Sequence, residues 1–261
     1  MQRTLITPDI NAYPEELRSL LTGAKVYDSS CSPQARVIFI DKDEGYYLKC
    51  SDKGTLEREA LLARYFNSKG LGVPAIEYLS TDRDWLLTAR ARGEDCTYKQ
   101  YLDNPKRLCD TLAKLLYELH HTEYGGCPVQ DRCGEYFKTV EENHRKGVFD
   151  TSFLPEEWAN LGDKYCYSFV MNNAYLLKNE CLVHGDYCLP NIMLDNWNFS
   201  AFIDLGNGGV GDRHIDLFWG AWTLQYNLKT DKYTDRFFDA YGRELVDKDK
   251  LLLVSIAEAF G

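Results

Sequence analysis

Three polar residues in the second half of the sequence have the types and spacing that phosphoryl transfer requires. Asp186 and Asn191 lie within residues 184–191, which read His-Gly-Asp-Tyr-Cys-Leu-Pro-Asn, and Asp204 follows thirteen residues after Asn191. One carboxylate can receive the proton of an attacking hydroxyl, while a second carboxylate and an amide can hold Mg²⁺. The pattern therefore predicts metal-assisted transfer of a phosphoryl group to an alcohol.

Two apolar runs indicate where these side chains lie. Residues 181–183 are Cys-Leu-Val and residues 192–194 are Ile-Met-Leu. Short apolar runs of this kind predict buried strands. The polar residues between the two runs must then lie on a loop, and loops that rigid strands hold at the surface are common places for catalysis.

The spacing resembles that of the aminoglycoside and antibiotic phosphotransferases, relatives of the protein kinases that have His-Gly-Asp in place of His-Arg-Asp. The aminoglycoside 3′-phosphotransferases are the most similar group, in length and in the Phe-Ile-Asp-Leu-Gly segment at 202–206. The resemblance implies that Asp186 is the catalytic base, that Asn191 and Asp204 are Mg²⁺ ligands, and that His184 braces the loop. It also implies ATP or GTP as the phosphoryl donor.

If the chain is kinase-like, as the resemblance implies, its first third should supply a lysine that anchors the nucleotide and a glutamate that orients it. Residues 45–50 have the aromatic content of a strand carrying Lys49, and residues 54–69 have the apolar stripe of a helix carrying Glu59. The family keeps Leu-Lys and Glu-Arg-Glu in the same order, so the resemblance implies that these two side chains pair beside the phosphates. Lysine and glutamate are also abundant on protein surfaces, which leaves a solvated role open.

Two further residues resemble nucleotide contacts of the family. Ser32 lies between predicted strands at 24–29 and 34–41, where the family often uses a serine-containing turn to contact phosphate. An ordinary hairpin turn favoured by serine and proline is an equal alternative. Tyr47 shares a strand face with Lys49 and resembles an aromatic residue that stacks on the base, although a plain core role fits it equally well.

The sequence of residues 85–93 predicts a strand, the last one of an N-terminal lobe, followed by the start of a hinge. By resemblance, the backbone around Ala89 and Ala91 pairs with the edge of the purine. The family often has an acidic residue where Arg90 or Arg92 stands. This departure leaves the choice of base open.

Carboxylates should receive the amino groups of a cationic substrate. Family members that take aminoglycosides place acidic residues from the helical region and from the end of the chain around the amino sugars, and Glu157 and Glu258 occupy comparable positions. A solvated helix surface is the alternative for both. Asn207 departs from the arginine that 3′-phosphotransferases commonly have three residues after the second Mg²⁺ aspartate, so the modified hydroxyl stays open.

A competing motif lies immediately downstream of Asp204. Residues 206–211 fit the G-x-G-x-x-G pattern of dinucleotide-binding folds, after a predicted strand and before a predicted helix. Such a fold needs a second parallel strand after the helix, but residues 228–255 read as charged helix. We therefore expect the glycines to relieve backbone strain after Asp204. No Walker A sequence occurs.

The composition limits the partners. The 261 residues carry a net charge of −10, which argues against nucleic acid or an anionic membrane and is compatible with a cationic small molecule. No apolar run approaches the ~20 residues of a membrane span, and no secretory signal is visible. The nine cysteines include no C-x-x-C pair. We expect a cytoplasmic protein with reduced thiols and leave its oligomeric state open.

Together these features predict an α+β, two-lobed, protein-kinase-like fold. Residues 1–92 should form a small lobe with an antiparallel sheet and one main helix, and residues 93–261 a larger, mostly helical lobe. Helices are predicted at 132–146 and 155–178, and a leucine repeat at 108–119 predicts another.

The predicted function is transfer of a γ-phosphoryl group to a hydroxyl of an aminoglycoside, with antibiotic resistance as the consequence. Two alternatives stay open at this point. One is a kinase of the same fold that acts on choline, a sugar amine or a macrolide. The other is a pseudokinase that binds nucleotide without turnover. Asp216, which lies among apolar residues, is expected to brace the catalytic loop because a buried carboxylate needs hydrogen-bond partners.

Overall fold

The computed structural model describes residues 3–31 and 35–261, and within these ranges the chain forms two compact units. The first unit extends to Cys96 and also takes in Pro190–Gly206, while the second comprises Thr97–Leu189 and Asn207–Gly261. The sequence did not indicate that a distant segment joins the first unit. The division into lobes after residue 92 stays a prediction, whereas the α+β class is confirmed.

A six-stranded antiparallel sheet forms the centre of the first unit. Its strands are β1 (Thr4–Ile6), β2 (Lys25–Asp28), β3 (Arg36–Asp41), β4 (Tyr46–Asp52), β5 (Ala75–Ser80) and β6 (Arg83–Ala89). They lie in the order β1-β2-β3-β4-β6-β5. The tight turn between β3 and β4 depends on Gly45, which has a φ of 90°.

Two helices cover opposite faces of this sheet, α1 (Glu15–Leu21) and α2 (Glu57–Ser68). Leu21 of α1 belongs to a buried cluster with Leu87, whereas Ala60 of α2 packs with the neighbouring Leu86. Successive strand residues point to opposite faces, so this alternation places the helices on different sides. Lys49, which lies between two residues of the α1 cluster, therefore faces the α2 side.

Smaller sheets carry the residues on either side of the predicted catalytic loop. In the first unit, β7 (Glu94–Asp95), β9 (Ile192–Asp195) and β10 (Asn198–Phe202) form a three-stranded sheet in the order β10-β9-β7. In the second unit, β8 (Cys181–Val183) pairs with β11 (Gly209–Gly211). The strands predicted at 181–183 and 192–194 are confirmed. The β8–β11 pair is antiparallel, so the glycine-rich segment does not form a dinucleotide-binding unit.

The second unit is mostly helical. Its helices are α3 (Lys99–Leu102), α4 (Pro105–His120), α5 (Arg132–Arg145), α6 (Asp163–Asn173), α7 (Arg213–Leu228), α8 (Thr234–Tyr241) and α9 (Lys248–Glu258). The leucine repeat of α4 is buried as its spacing predicts. A common core receives residues from α5, α6, α7 and α9.

The single helix predicted over 155–178 is wrong. The structure has a short 3-10 helix at Glu156–Trp158, and α6 begins only at Asp163. Gly162 separates the two with a φ of 77°, a left-handed conformation that a continuous α-helix cannot contain.

No helix in the described ranges is long and apolar enough to cross a membrane. All nine cysteines are free thiols, and eight of them are buried.

Candidate active site

A β-hairpin brings the two predicted metal ligands to one end of the first unit. Asn191 directly precedes β9, and Asp204 follows β10 after one intervening residue. Because Ile192 pairs with Phe202 across the hairpin, the residues flanking these two positions must lie side by side. The backbone N–H of Ile203 donates to the carbonyl of Asn191 at 3.0 Å, which confirms this arrangement.

Lys49 joins this hairpin to the central sheet and to α2. Its Nζ lies 2.7 Å from Oε2 of Glu59 and 2.8 Å from Oδ1 of Asp204. Glu59 is buried, whereas the Asp204 side chain is 52% exposed. The structure thus brings together three of the predicted site residues, which lie as far as 155 positions apart in the chain.

The charged groups of this cluster shift the pKa of Lys49 and that of Glu59. Burial lowers the pKa of Lys49, but the carboxylates of Glu59 and Asp204 raise it by more, so the ammonium stays charged. Burial raises the pKa of Glu59 and the nearby Asp204 adds to the effect, while Lys49 opposes it. With all three groups ionised, one negative charge is in excess, and the half-exposed Asp204 carries oxygens that a cation can reach.

The residues present fit a magnesium ion. No cluster of three or more His, Cys, Asp or Glu side chains in the described chain could hold a metal ion by itself. Asn191 and Asp204 instead offer one amide and one carboxylate. Mg²⁺ is commonly bound by one or two such protein ligands, with water and substrate phosphates completing its coordination.

Asp204 has an unusual backbone conformation, with a φ of 57°. The left-handed region is unfavourable for most side chains, but aspartate and asparagine tolerate it better than others. We expected glycines at 206–211 to relieve the strain after Asp204. In the structure Asp204 itself has a left-handed φ, and the chain then forms a 3-10 helix at Leu205–Asn207. Of the glycines at 206–211, Gly209 has a positive φ, of 147°.

Gly185, next to the predicted catalytic base, leaves no room for a side chain. It has a φ of 80°, and a Cβ at this position would lie 1.9 Å from the carbonyl oxygen of Asn207. The same carbonyl accepts a hydrogen bond from Nε of Arg132 at 2.7 Å, which holds it in place. The loop can therefore pass this close to Asn207 only with glycine at 185.

Gly185→Ala should consequently destabilise the fold and displace the loop. Gly126→Ala is a matched control, because Gly126 has a similar φ of 77° but nothing within 4 Å of the added Cβ. We expect the control to lose about 1 kcal/mol of unfolding free energy and Gly185→Ala to lose clearly more, through the added clash. Urea unfolding of both variants measures the difference, and equal losses would contradict the close approach.

Asp216 of α7 braces the loop as the sequence predicts. Its fully buried carboxylate accepts hydrogen bonds from the backbone N–H groups of His184 and Gly185, both at 2.7 Å. His184 contributes as well, because the N–H of Asp186 donates to its Nδ1 at 3.3 Å. The backbone before Asp186 is therefore held by side chains of the second unit. The Asp186 side chain itself is half-buried.

The structure adds His120, which the sequence did not assign to this network. Its Nε2 lies 3.2 Å from Oδ2 of Asp216, and its Nδ1 lies 2.8 Å from the hydroxyl of Tyr241. Burial lowers the pKa of His120 despite the opposing effect of Asp216. A neutral ring protonated at Nε2 satisfies both contacts.

Comparison with known proteins decides the family. Residues 27–252 match the phosphotransferase enzyme family. The chain is also 51% identical over 254 residues to a probable aminoglycoside 3′-phosphotransferase of Lactococcus lactis, with 97% of both chains covered. The chain belongs to the phosphotransferase enzyme family. The resemblance seen in the sequence is thereby confirmed.

More distant relatives agree with this assignment. An aminoglycoside 3′-phosphotransferase of Niallia circulans is 26% identical over 199 residues, or 76% of this chain and 75% of the relative. The crystal structure of a type VIII aminoglycoside 3′-phosphotransferase superposes with a TM-score of 0.78 at 21% identity and 96% coverage of both chains. An aminoglycoside phosphotransferase from Streptomyces rimosus, solved with ADP and streptomycin, gives 0.75 at 20% identity, covering 97% and 99%. The kinase-like fold is confirmed.

Within this phosphotransferase, Glu258 lies at the end of α9 and is buried. Its Oε1 accepts hydrogen bonds from the Tyr136 hydroxyl at 2.8 Å and from Nε1 of Trp219 at 3.2 Å. Burial, with a smaller contribution from Asp186, raises the pKa of Glu258 to about 7, although Tyr136, Arg132 and Trp219 act in the opposite direction. The side chain is thus a carboxyl group that titrates near neutral pH.

Stability should depend on pH through Glu258. Between pH 4.5 and about 7 the unfolded chain releases the carboxyl proton of Glu258, while the folded protein keeps it. The free energy of unfolding therefore falls as the pH rises through this range and levels off above pH 7. Glu258→Gln removes this penalty, and we expect its stability relative to the natural protein to increase by up to about 3 kcal/mol from pH 5 to pH 8. Urea unfolding at both pH values tests this.

Glu156→Gln, at an exposed neighbour of Glu157, is the control for that experiment. It should change the stability by the same amount at both pH values. A pH-independent difference for Glu258→Gln as well would show that Glu258 has an ordinary pKa.

The other predicted contacts of the phosphotransferase are less constrained. Glu157 is exposed on the 3-10 helix at Glu156–Trp158. Tyr47 is half-buried, its ring centroid lies 5.2 Å from that of Phe39, and its hydroxyl accepts a hydrogen bond from Arg3. Ser32 lies outside the described residues.

The two hinge residues differ in their backbone bonding. The N–H of Ala89 already donates to the carbonyl of Pro74 at 3.0 Å. Ala91 is 6% exposed, and its backbone has no hydrogen-bond partner in residues 3–31 and 35–261. A role of these two backbone groups in binding the purine stays a prediction.

Proposed function

We propose that this phosphotransferase moves the γ-phosphoryl group of a nucleoside triphosphate to a hydroxyl of an aminoglycoside and thereby confers antibiotic resistance. The observation that carries the proposal is the Lys49 ammonium held between Glu59 and Asp204, at the hairpin end that also presents Asn191. Catalysis of phosphoryl transfer consists mostly of positioning and charge stabilisation, and this cluster is suited to both.

Each residue of the cluster has a proposed role. Lys49 binds the phosphates of the donor, and Glu59 fixes the lysine in place. Asn191 and Asp204 would hold Mg²⁺, and the bound ion would supply charge stabilisation to the phosphates. Asp186 accepts the proton of the attacking hydroxyl, on a loop whose backbone Asp216 keeps rigid.

The hinge supports a nucleotide as the donor. The free backbone donor and acceptor of Ala91 suit the edge of a purine, and the Ala89 carbonyl is a further candidate acceptor for a base amino group. Tyr47 would lie along the base. The relative from Streptomyces rimosus that holds ADP and streptomycin supports the same two classes of ligand.

Glu258 and Glu157 are the proposed partners of the amino groups of the substrate. The pKa of Glu258, about 7, makes it responsive to a ligand, because an ammonium group beside it would favour the carboxylate form. The overall charge of −10 also favours the approach of a cation. Free, mostly buried cysteines favour a reducing compartment, and we place the reaction in the cytoplasm.

The test is a coupled nucleotide-consumption assay of the purified protein with Mg²⁺, ATP or GTP, and a panel of aminoglycosides and amino alcohols. We expect turnover with at least one aminoglycoside. Turnover with choline or another amino alcohol alone would favour the metabolite kinase, and nucleotide binding without turnover on the panel would favour the pseudokinase. Expression in a sensitive bacterium should raise its resistance to kanamycin-like compounds.

A further inference from the structure

Asp84 is a fully buried carboxylate to which the roles proposed above give no part. It lies on β6 and pairs with Ser51 of β4, two residues along that strand from Lys49. Leu86, the β6 partner of Lys49, packs with Ala60 of α2. Alternate residues of a strand share a face, so Asp84 and Lys49 both face this helix. A carboxylate this deep in the fold requires hydrogen-bond donors.

One of its donors is the backbone at the start of α2. The N–H of Leu56, the residue directly before the helix, donates to Oδ2 of Asp84 at 3.0 Å. Because a leucine side chain cannot accept a hydrogen bond, Leu56 provides no cap for its own helix. Asp84 supplies the acceptor from the sheet instead, and its negative charge suits the positive end of the helix dipole.

The β5–β6 hairpin holds the Asp84 carboxylate in turn. The hydroxyl of Ser80, which pairs with Asp84 across the two strands, donates to Oδ1 at 2.7 Å. Burial raises the pKa of Asp84, but the hydrogen bonds that it accepts, chiefly from Leu56 and Ser80, lower the pKa by more. The group therefore stays ionised, and its bond to α2 belongs to the stronger, charge-assisted class.

The start of α2 determines where Glu59 lies. Glu59 follows Leu56 by three residues, just under one turn of the helix. Its distance from Lys49 on β4 thus depends on how the first turn is held against the sheet. The far end of the helix is held separately, because the carbonyl of Leu71 accepts a hydrogen bond at 2.8 Å from the N–H of Phe202 on β10.

We propose that Asp84 is a positioning residue for phosphoryl transfer, which acts through α2 by holding Glu59 against Lys49. The inference rests on the proposed function, in which Lys49 binds the phosphates of the donor and Glu59 fixes the lysine in place. Without an acceptor at Asp84 the first turn of α2 is free to move from the sheet, and the 2.7 Å contact between Lys49 and Glu59 is weakened. Loss of Asp84 should then weaken nucleotide binding and leave the KM of the aminoglycoside unchanged.

Titration of Mg²⁺-ATP into Asp84→Ala, Glu59→Ala and the double variant tests this route. Glu59→Ala should raise the dissociation constant by about tenfold or more, and Asp84→Ala by at least about fivefold, the effect of losing or weakening one bond between charged groups. In the Glu59→Ala protein, Asp84→Ala should change the dissociation constant by less than about twofold, because the group through which Asp84 acts is already absent. A general structural defect would instead have the same effect in both backgrounds.

Ser80→Ala is the matched control, because it removes the other bond of the same carboxylate and leaves the bond to Leu56. It should change nucleotide affinity by less than about twofold. The Nζ resonance of Lys49 in isotope-labelled protein, identified by Lys49→Arg, gives a second measurement that needs no nucleotide. Asp84→Ala and Glu59→Ala should both shift this resonance, and Ser80→Ala should leave it in place.

Two further measurements apply if Asp84→Ala does not fold. Asp84→Asn keeps an acceptor oxygen for the Leu56 N–H and should bind Mg²⁺-ATP within about threefold of the natural protein. In the natural protein, hydrogen exchange of the Leu56 amide should be much slower than that of the exposed Lys53 in the preceding turn.

The proposal is overturned if Asp84→Ala binds Mg²⁺-ATP as tightly as the natural protein, if its effect is the same with and without Glu59, or if Asp84→Asn falls outside the expected range. Exchange of the Leu56 amide as fast as that of Lys53 would also overturn it. A natural protein that binds no nucleotide, in which Asp84→Ala still shifts the Lys49 resonance, would contradict the proposed function and not the link from Asp84 to Lys49.

Discussion

Asp186→Asn should lower turnover with an aminoglycoside by about 10² to 10⁴-fold, the usual contribution of a general base. Asparagine has nearly the same shape but cannot accept the hydroxyl proton. The bonds of the loop backbone to Asp216, to His184 and to the carbonyl of residue 186 do not use the Asp186 side chain, so they survive the substitution. The dissociation constant of the Mg²⁺-nucleotide complex should therefore stay close to that of the natural protein.

Steady-state kinetics and calorimetric titration of nucleotide measure the two effects separately. Asp249→Asn, at an exposed aspartate of α9 in the same unit, is the control and should keep normal turnover. Unchanged turnover in Asp186→Asn would remove this carboxylate from the mechanism. A large loss of nucleotide affinity would assign it a different role.

Asp204→Asn removes the charge of one metal ligand, so it should strongly weaken the contribution of Mg²⁺ to nucleotide binding and reduce turnover by about 10³-fold, because metal-held charge stabilisation is worth several kcal/mol. Asparagine keeps the size of the side chain and tolerates the φ of 57° at this position, so the backbone should not change. Lys49 keeps its second partner, Glu59.

Calorimetric titration of ATP with and without Mg²⁺ measures this effect. The natural protein should bind ATP more tightly with the metal, whereas Asp204→Asn should show a much smaller gain in affinity from the metal. Asp195→Asn lies on the same hairpin, at the exposed end of β9, and should behave like the natural protein. A metal-dependent gain in Asp204→Asn as large as that of the natural protein would contradict the assignment of Asp204 as a ligand.

The sequence predicts most of the first-unit cluster because that cluster depends on local patterns. Apolar runs place strands before and after the loop, and the hairpin then determines where Asn191 and Asp204 lie. The brace from Asp216 is also predictable, since a carboxylate within an apolar helix must find donors. Family resemblance supplied the roles of these residues, which spacing alone does not give.

Other features depend on contacts that no local pattern encodes. His120 contacts Asp216 across 96 positions of the chain, and nothing near His120 indicates this partner. The break before α6 arises because Gly162 adopts a left-handed φ, although its neighbours favour a continuous helix. Residues 190–206 belong to the first unit because β9 pairs with β7, and these two strands are also far apart in sequence.

The most direct test of the account is mass spectrometry of kanamycin after incubation with the purified protein, Mg²⁺ and ATP labelled isotopically in its γ-phosphoryl group. The account predicts kanamycin heavier by one labelled phosphoryl group with the natural protein, and formation of this product at a rate lower by about 10² to 10⁴-fold with Asp186→Asn. Labelled inorganic phosphate without modified kanamycin, or the same product at an equal rate from Asp186→Asn, would contradict it.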